Sequence, residues 1–177
     1  MLLNAASLSS KLQQMASGAV YGSDHQTVVL HSRKLDALED LIEAANGKPL
    51  LVAYWFHHEH DRLHERFACR DINTAEDIAA WCAGEIPVGP DPSPPLPVTA
   101  STFNPVALRW CGFSLTWSLE LYEQLNDRLW RQGQEHTVVI HHIISDGTID
   151  EDIMSALARK DVGQNALRDA VRARLEV

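Results

Sequence analysis

Long apolar runs are missing from the sequence. Nothing in it approaches the ~20 consecutive apolar residues of a membrane-spanning helix, so no membrane partner is expected. A basic-then-apolar leader is missing too. Cysteine is scarce: Cys69, Cys82 and Cys111 form neither an even framework nor a C-x-x-C pair. That excludes a disulfide-built fold and makes a reducing, cytoplasmic setting the expectation. Positive charge is also short. Fifteen Lys and Arg against 24 Asp and Glu leave a net charge of −9. Bulk charge therefore gives no hold on nucleic acid, and any such contact has to come from a local patch. Basic residues do gather late in the chain, at Arg128, Arg131, Arg159, Lys160, Arg168, Arg172 and Arg174.

What is present suits one domain. The chain has 177 residues, 45% of them hydrophobic, enough to bury a core. Leu8, Leu12 and Met15 have helical spacing within Met1–Gly22, which is expected to end near Gly18. Thr27–His31 reads as a short strand. Leu35, Leu38, Leu41 and Ile42 stripe a helix over Lys34–Ala45, stopped by Asn46-Gly47. Leu50–Phe56 is a continuous apolar run, the pattern of a strand buried on both faces of a parallel sheet. His58–Phe67 reads as the helix after it. Thr74 and Asp77 suit a capping box in carboxylate form for a helix through Trp81. Glu85–Val88 reads as the start of a strand weakened by Pro87. Thr137–Ile144 is a strand, and Ile149–Lys160 and Gln164–Glu176 are helices. The alternation predicts an α/β fold with a parallel sheet.

Leu115–Gln134 (LTWSLELYEQLNDRLWRQGQ) carries the chemistry. As a helix it sets Leu119, Tyr122, Leu125 and Leu129 on an apolar face and gathers Gln124, Arg128 and Arg131 on another. Gly133 is a stop signal. Guanidiniums grouped this way match phosphate oxygens. They also suit a solvated face with local pairs, Glu120–Gln124 and Asp127–Arg131.

The stretch Gln124-Leu-Asn-Asp-Arg128-Leu-Trp-Arg131-Gln-Gly-Gln134 resembles motif VI of superfamily 2 helicases, in the Q-x-x-D-R-x-x-R-x-G-Q form of the Swi/Snf-type ATPases and their phage-borne relatives. The flanks agree, with Leu115–Glu120 before it, and Val138–Ile144 and Gly147–Glu151 after it. The resemblance implies a RecA-like three-layer parallel sheet with helices on both faces, with residues 1–177 forming a single C-terminal lobe. It implies that Arg131 is an arginine finger, Arg128 a second phosphate contact and Gln124 a helper in the ATP site. It brings Thr116 and Trp117 near the nucleic-acid backbone. The expected partners are a first RecA-like lobe and double-stranded DNA. No G-x-x-x-x-G-K-[ST] loop and no D-E-x-[HD] pair is present, so ATP and Mg2+ are expected only with that first lobe, and no hydrolysis without it. The alternative is a degenerate, non-enzymatic interaction module or a gene remnant.

One window departs from the family pattern. Gly89–Pro97 (GPDPSPPLP) has five prolines in nine residues, where a strand and a G-H-G-L-N-L-Q-like motif V are expected. Residues Val98–Phe113, read one base earlier with suitable codons, yield such a motif. Residues 88–114 are therefore expected to be irregular and translated out of frame. His57, His58, His60 and His64 also crowd together. His60 and His64, four apart, could share a metal with Glu59 or His57. H-E-x-x-H is absent, so a polar helix face is preferred and no metal ligand is assigned. His141 and His142 alternate along a strand, which is poor geometry for joint ligation. Apart from Arg70 beside Cys69 and Arg109 near Cys111, the cysteines have no basic neighbours that demand a reactive thiolate.

Overall fold

The structure is a computed structural model that describes residues 5–24, 26–46, 48, 50–72, 74, 76–77, 80, 85, 88–92, 109–129 and 138–160, with backbone alone at 5, 88–92, 109–110, 125 and 127–129. Helix α1 (Ala5–Ser17) ends at Gly18 and leads into β1 (Ala19–Tyr21), which pairs antiparallel with β2 (Thr27–Val29). Gly18 has φ 95°, and a Cβ there would lie 2.3 Å from the His31 carbonyl, so both conformation and space call for glycine. Buried Arg62 fastens this unit, donating to the Ser17 carbonyl at 3.0 Å and the His31 carbonyl at 2.6 Å. Leu8, Leu12 and Met15 do have helical spacing, yet all three are exposed; α1 instead buries Gln14, Ala16 and Ser17. Gln14 explains part of this, because its Oε1 accepts the Tyr21 N–H at 3.1 Å.

Helix α2 (Arg33–Ala45) buries Leu35 and Leu38 and ends at Asn46, whose left-handed φ of 50° is a helix-stop conformation. The apolar run becomes β3 (Leu50–Tyr54), buried at every position. Helix α3 (His57–Arg66) follows. Thr74 and Asp77 form the reciprocal cap read in the sequence: the Thr74 N–H donates to Asp77 Oδ2 at 2.9 Å, and the Asp77 N–H donates to Thr74 Oγ1 at 3.1 Å. The remaining elements are β4 (Val88–Pro92), β5 (Arg109–Gly112), α4 (Leu119–Leu129), β6 (Val139–His142) and a helix over residues 149–160, α5. Trp81, the helix Gln164–Glu176 and residues 93–108 lie outside the described residues.

Four strands form one parallel sheet in the order β4-β3-β5-β6. Its centre is β3 beside β5, where Val52 is level with Cys111, and Cys111 with His141. The strand whose start was expected in Glu85–Val88 is described from Val88 and runs through Pro90 and Pro92. Among the described strands it lies at an edge, pairing with β3 on one side, where a proline's missing N–H need not serve a second described neighbour. Thus the window expected to be irregular, 88–114, holds an edge strand and the inner strand β5.

Leu50, Val52 and Tyr54 join Leu35, Leu38, Leu63, Cys111, Phe113 and Ile143 in one core cluster. Leu51 and Ala53, on the opposite face of β3, are buried as well, so both faces of this strand are covered. A second cluster joins Leu115 and Leu119 of the α4 region to Ile153 and Leu157 of α5.

Lys34 and Asp150 make a buried ion pair at 2.6 Å, with 2% and 3% of their side chains exposed. Lys34 Nζ also donates to the Phe113 carbonyl at 3.1 Å, and Asp150 Oδ2 also accepts the Ser145 N–H at 3.1 Å. Lys34→Met leaves the Asp150 charge buried and uncompensated. It is expected to destabilise the fold by roughly 3–5 kcal/mol, and adding Asp150→Leu recovers only the part due to the unpaired charge, because the Phe113 carbonyl and the Ser145 N–H still lose their partners. Urea unfolding of the two variants checks this, and equal losses would contradict it.

Candidate functional site

A parallel sheet turns the carboxyl ends of its strands to one edge, where α/β folds take their ligands. Here that edge is built from the turns after β3, β5 and β6. Glu59 binds two of them. Its Oε2 accepts the Trp55 and Phe56 N–H groups at 2.8 and 3.0 Å, and its Oε1 accepts the Ser114 hydroxyl. Glu59 is fully buried, and its bond to the Phe56 N–H is made away from water, while Trp55 and Ser114 are half-buried. The turn after β5 is held further by Gln13, which donates to the Leu115 carbonyl at 3.0 Å. It then starts α4: Ser118 Oγ accepts the Leu121 N–H at 3.3 Å, the bond of an N-cap.

The residues expected to contact nucleic acid lie on this turn. Thr116 is half-buried, and its Oγ1 accepts the Ser118 N–H at 3.2 Å. Trp117 is 37% exposed, donates from Nε1 to Ser9 Oγ at 3.0 Å and accepts Lys160 Nζ at its carbonyl at 2.7 Å. Two turns on, Gln124 is exposed, and its Nε2 donates to Glu120 Oε1 at 3.3 Å, the local pairing that the spacing allowed. The backbone of Arg128 continues α4 four residues later, about 6 Å along the axis and on the same face. The Arg128 side chain and the whole of Arg131 lie outside the described residues. A separate cleft of about 900 Å³ opens between α1 and the 143–152 segment, lined by Leu12, Met15, Leu30 and Ile144 among others. Gln124, Thr116 and Trp117 do not line it.

The histidines of α3 divide by face. His58 points inward, 1% exposed, stacked on Phe56 at 5.3 Å and edge-on to Tyr21 at 5.1 Å. Neither ring nitrogen has a hydrogen-bond partner among the described residues. Burial lowers its pKa below 6.5, helped by the nearby Arg62 charge and opposed by Glu59. His60 and His64 face outward and meet Asp71, which the sequence reading had not grouped with them. The hydrogen bond to Asp61 leads in raising the His60 pKa, and the contact with Asp71 adds to it. Burial pushes the Asp71 carboxyl up, but hydrogen bonds from His64 and His60 outweigh it, and the net shift is down. Asp71 was hard to foresee because it joins the pair only through the fold of the chain after α3. Burial also pushes the Cys111 thiol up to about 12, so it is no reactive thiolate.

No family profile matches the chain. Protein p41 of Acyrthosiphon pisum secondary endosymbiont phage 1 is 32% identical over 184 aligned positions, which take in 96% of this chain. The chain spans 38% of the length of p41. Among solved structures, the C-terminal part of the Fun30 ATPase domain aligns with a TM-score of 0.52 at 17% identity, covering 70% of this chain and 44% of that one. At that identity the likeness concerns the fold, which is the RecA-like α/β arrangement expected. No described helix is long and apolar enough to cross a membrane.

The lowered pKa of His58 has a signed consequence. The unfolded chain takes up a proton near pH 6.5 and the folded chain only at lower pH, so this group leaves stability intact above about 6.5 and erodes it as the pH falls. His58→Phe, which keeps the ring stack, is expected to lose less stability than the wild type between pH about 7.5 and about 5.5. Denaturant midpoints at the two pH values measure this, since the other histidines are common to both proteins. Parallel losses would show that His58 is not the group responsible.

Proposed function

We propose that this chain is the second, C-terminal RecA-like lobe of an ATP-dependent DNA helicase or translocase of the superfamily 2, Swi/Snf-type class. One observation carries the reading. The helix that opens the Q-x-x-D-R-x-x-R-x-G-Q segment leaves the carboxyl edge of a parallel sheet, with Gln124 turned to solvent. A residue so exposed is open to a second lobe and to the nucleotide between them. Arg131 then acts as the arginine finger, Arg128 as a second phosphate contact, and Gln124 as a polar helper. Thr116 and Trp117 approach the backbone of duplex DNA from the turn before α4. ATP with its Mg2+ enters as substrate once a first lobe supplies the phosphate loop and the acidic pair, either as a separate chain or as another part of a longer protein. The fold likeness to the C-terminal part of the Fun30 ATPase domain supports the helicase-like lobe, and the similarity to p41 supports only a phage-borne relative.

A second reading, a degenerate interaction module or gene remnant, is favoured by the β4 sequence VGPDP, with two prolines in five strand residues. It accompanies the proposal that residues 88–114 are translated out of frame. The codons of that window test the frame directly; codons that yield no motif V in a shifted frame would remove that proposal.

ATP hydrolysis in the presence of duplex DNA separates the two readings. The chain alone is expected to be inactive and to become active on mixing with a first lobe encoded upstream. Arg131→Ala is then expected to lower kcat by about 10³-fold or more, the scale of an arginine finger. A folded chain that never supports hydrolysis with that lobe would favour the remnant.

A further inference from the structure

His60 and His64 stand one helical turn apart on the outer face of α3, their ring centroids 4.4 Å from each other. Asp71, on the segment that returns after α3, gives one carboxylate oxygen to each. His60 Nε2 lies 3.2 Å from Oδ2, and His64 Nε2 lies 3.0 Å from Oδ1. One donor atom from each residue falls within 4.8 Å of the others. A zinc-like ion with bonds of about 2.0–2.1 Å at tetrahedral angles sets neighbouring ligand atoms about 3.3 Å apart. The histidine–carboxylate separations are already close to that spacing, and the two imidazoles, within 4.8 Å of each other, are the pair that an ion would draw together.

A second feature points the same way. His60 Nδ1 lies 3.1 Å from Asp61 Oδ1. A carboxylate only accepts, so the tautomer that donates Nδ1–H to Asp61 is the one that leaves Nε2, facing Asp71, for a metal. This is the carboxylate–histidine–metal arrangement that fixes ring orientation and tautomer in metal sites. The side chains of His60, His64 and Asp71 are 30%, 33% and 32% exposed, which gives an ion access and leaves a solvent-side position for water. Two imidazoles and one carboxylate suit a borderline transition metal, whereas calcium and magnesium take oxygen ligands.

We propose that His60, His64 and Asp71 form a binding site for a divalent transition-metal ion of the zinc type, which clamps the segment after α3 onto that helix. The site is separate from the arginine-bearing α4, so it stands whether or not the ATPase reading does.

Titration of the untagged full chain with Zn2+ by calorimetry, and with Co2+ by visible absorption, tests it. One equivalent is expected to bind, with a Co2+ spectrum of nitrogen and oxygen ligands and a rise in Tm on adding Zn2+. His64→Gln and Asp71→Asn each remove a ligand and are expected to weaken binding by more than the 10–100-fold, roughly, that follows loss of an outer partner. His57→Gln, outside the cluster, is expected to bind as the wild type does. Circular dichroism establishes that each variant folds; should His64→Gln not fold, the near-isosteric Asp71→Asn decides. No uptake by the folded wild type, or equal uptake by wild type and ligand variants, would overturn the proposal.

Discussion

The buried Lys34 ammonium is the constraint on which the carboxyl edge of the sheet depends. Two opposite charges out of water are not by themselves a large gain, because desolvation offsets much of their attraction. Their weight here lies in the extra bonds. Lys34, at the start of α2, holds both Asp150 of α5 and the Phe113 carbonyl at the end of β5. Asp150 in turn holds the Ser145 N–H beyond β6. One side chain thus ties two helices and the exits of two strands, and a shift in any of them leaves a buried charge or dipole unpartnered.

Glu59 does the corresponding work for β3 and the turn after β5, through the Trp55 and Phe56 amides and the Ser114 hydroxyl. Between these two nodes the chain from Phe113 to Ser118 has little freedom, and the direction in which α4 leaves the sheet follows from it. Leu119 then packs with Ile153 and Leu157, while Gln124 remains in solvent. A surface helix with an amide and paired guanidiniums is ordinary by itself. In the proposed function, departure from the carboxyl edge of a parallel sheet is what would bring those guanidiniums to phosphates.

Much of the scaffold was legible because its signals are local. The Leu50–Phe56 run reads as a doubly buried strand, and its Leu50–Tyr54 part is one; Leu35 and Leu38 read as a helix stripe, Asn46 as a stop, and Thr74 with Asp77 as a cap, and these are found. The features that were not legible depend on distant partners. Lys34 looked like the polar end of a helix until Asp150 and Phe113 came beside it. Pro90 and Pro92 argued against a strand, yet an edge position admits them. Leu8, Leu12 and Met15 have the spacing of a core stripe, but polar Gln14 takes the buried place through its bond to β1. On the candidate site, Gln124, Thr116 and Trp117 could be located, whereas Asp71 needed the fold to reveal it, since nothing in its own neighbourhood marks it as a partner of His60 and His64.

The claim that this lobe completes an ATP site turns on where its arginines go in the assembled state. The most direct measurement is a structure of the chain bound to the proposed first lobe, duplex DNA and ADP with a γ-phosphate transition-state mimic. The expected result has the Arg131 guanidinium within hydrogen-bonding distance of the mimic and Arg128 on a neighbouring phosphate oxygen, with Gln124 released from Glu120 into the site. A nucleotide held by the first lobe alone, with both arginines in solvent, would contradict it.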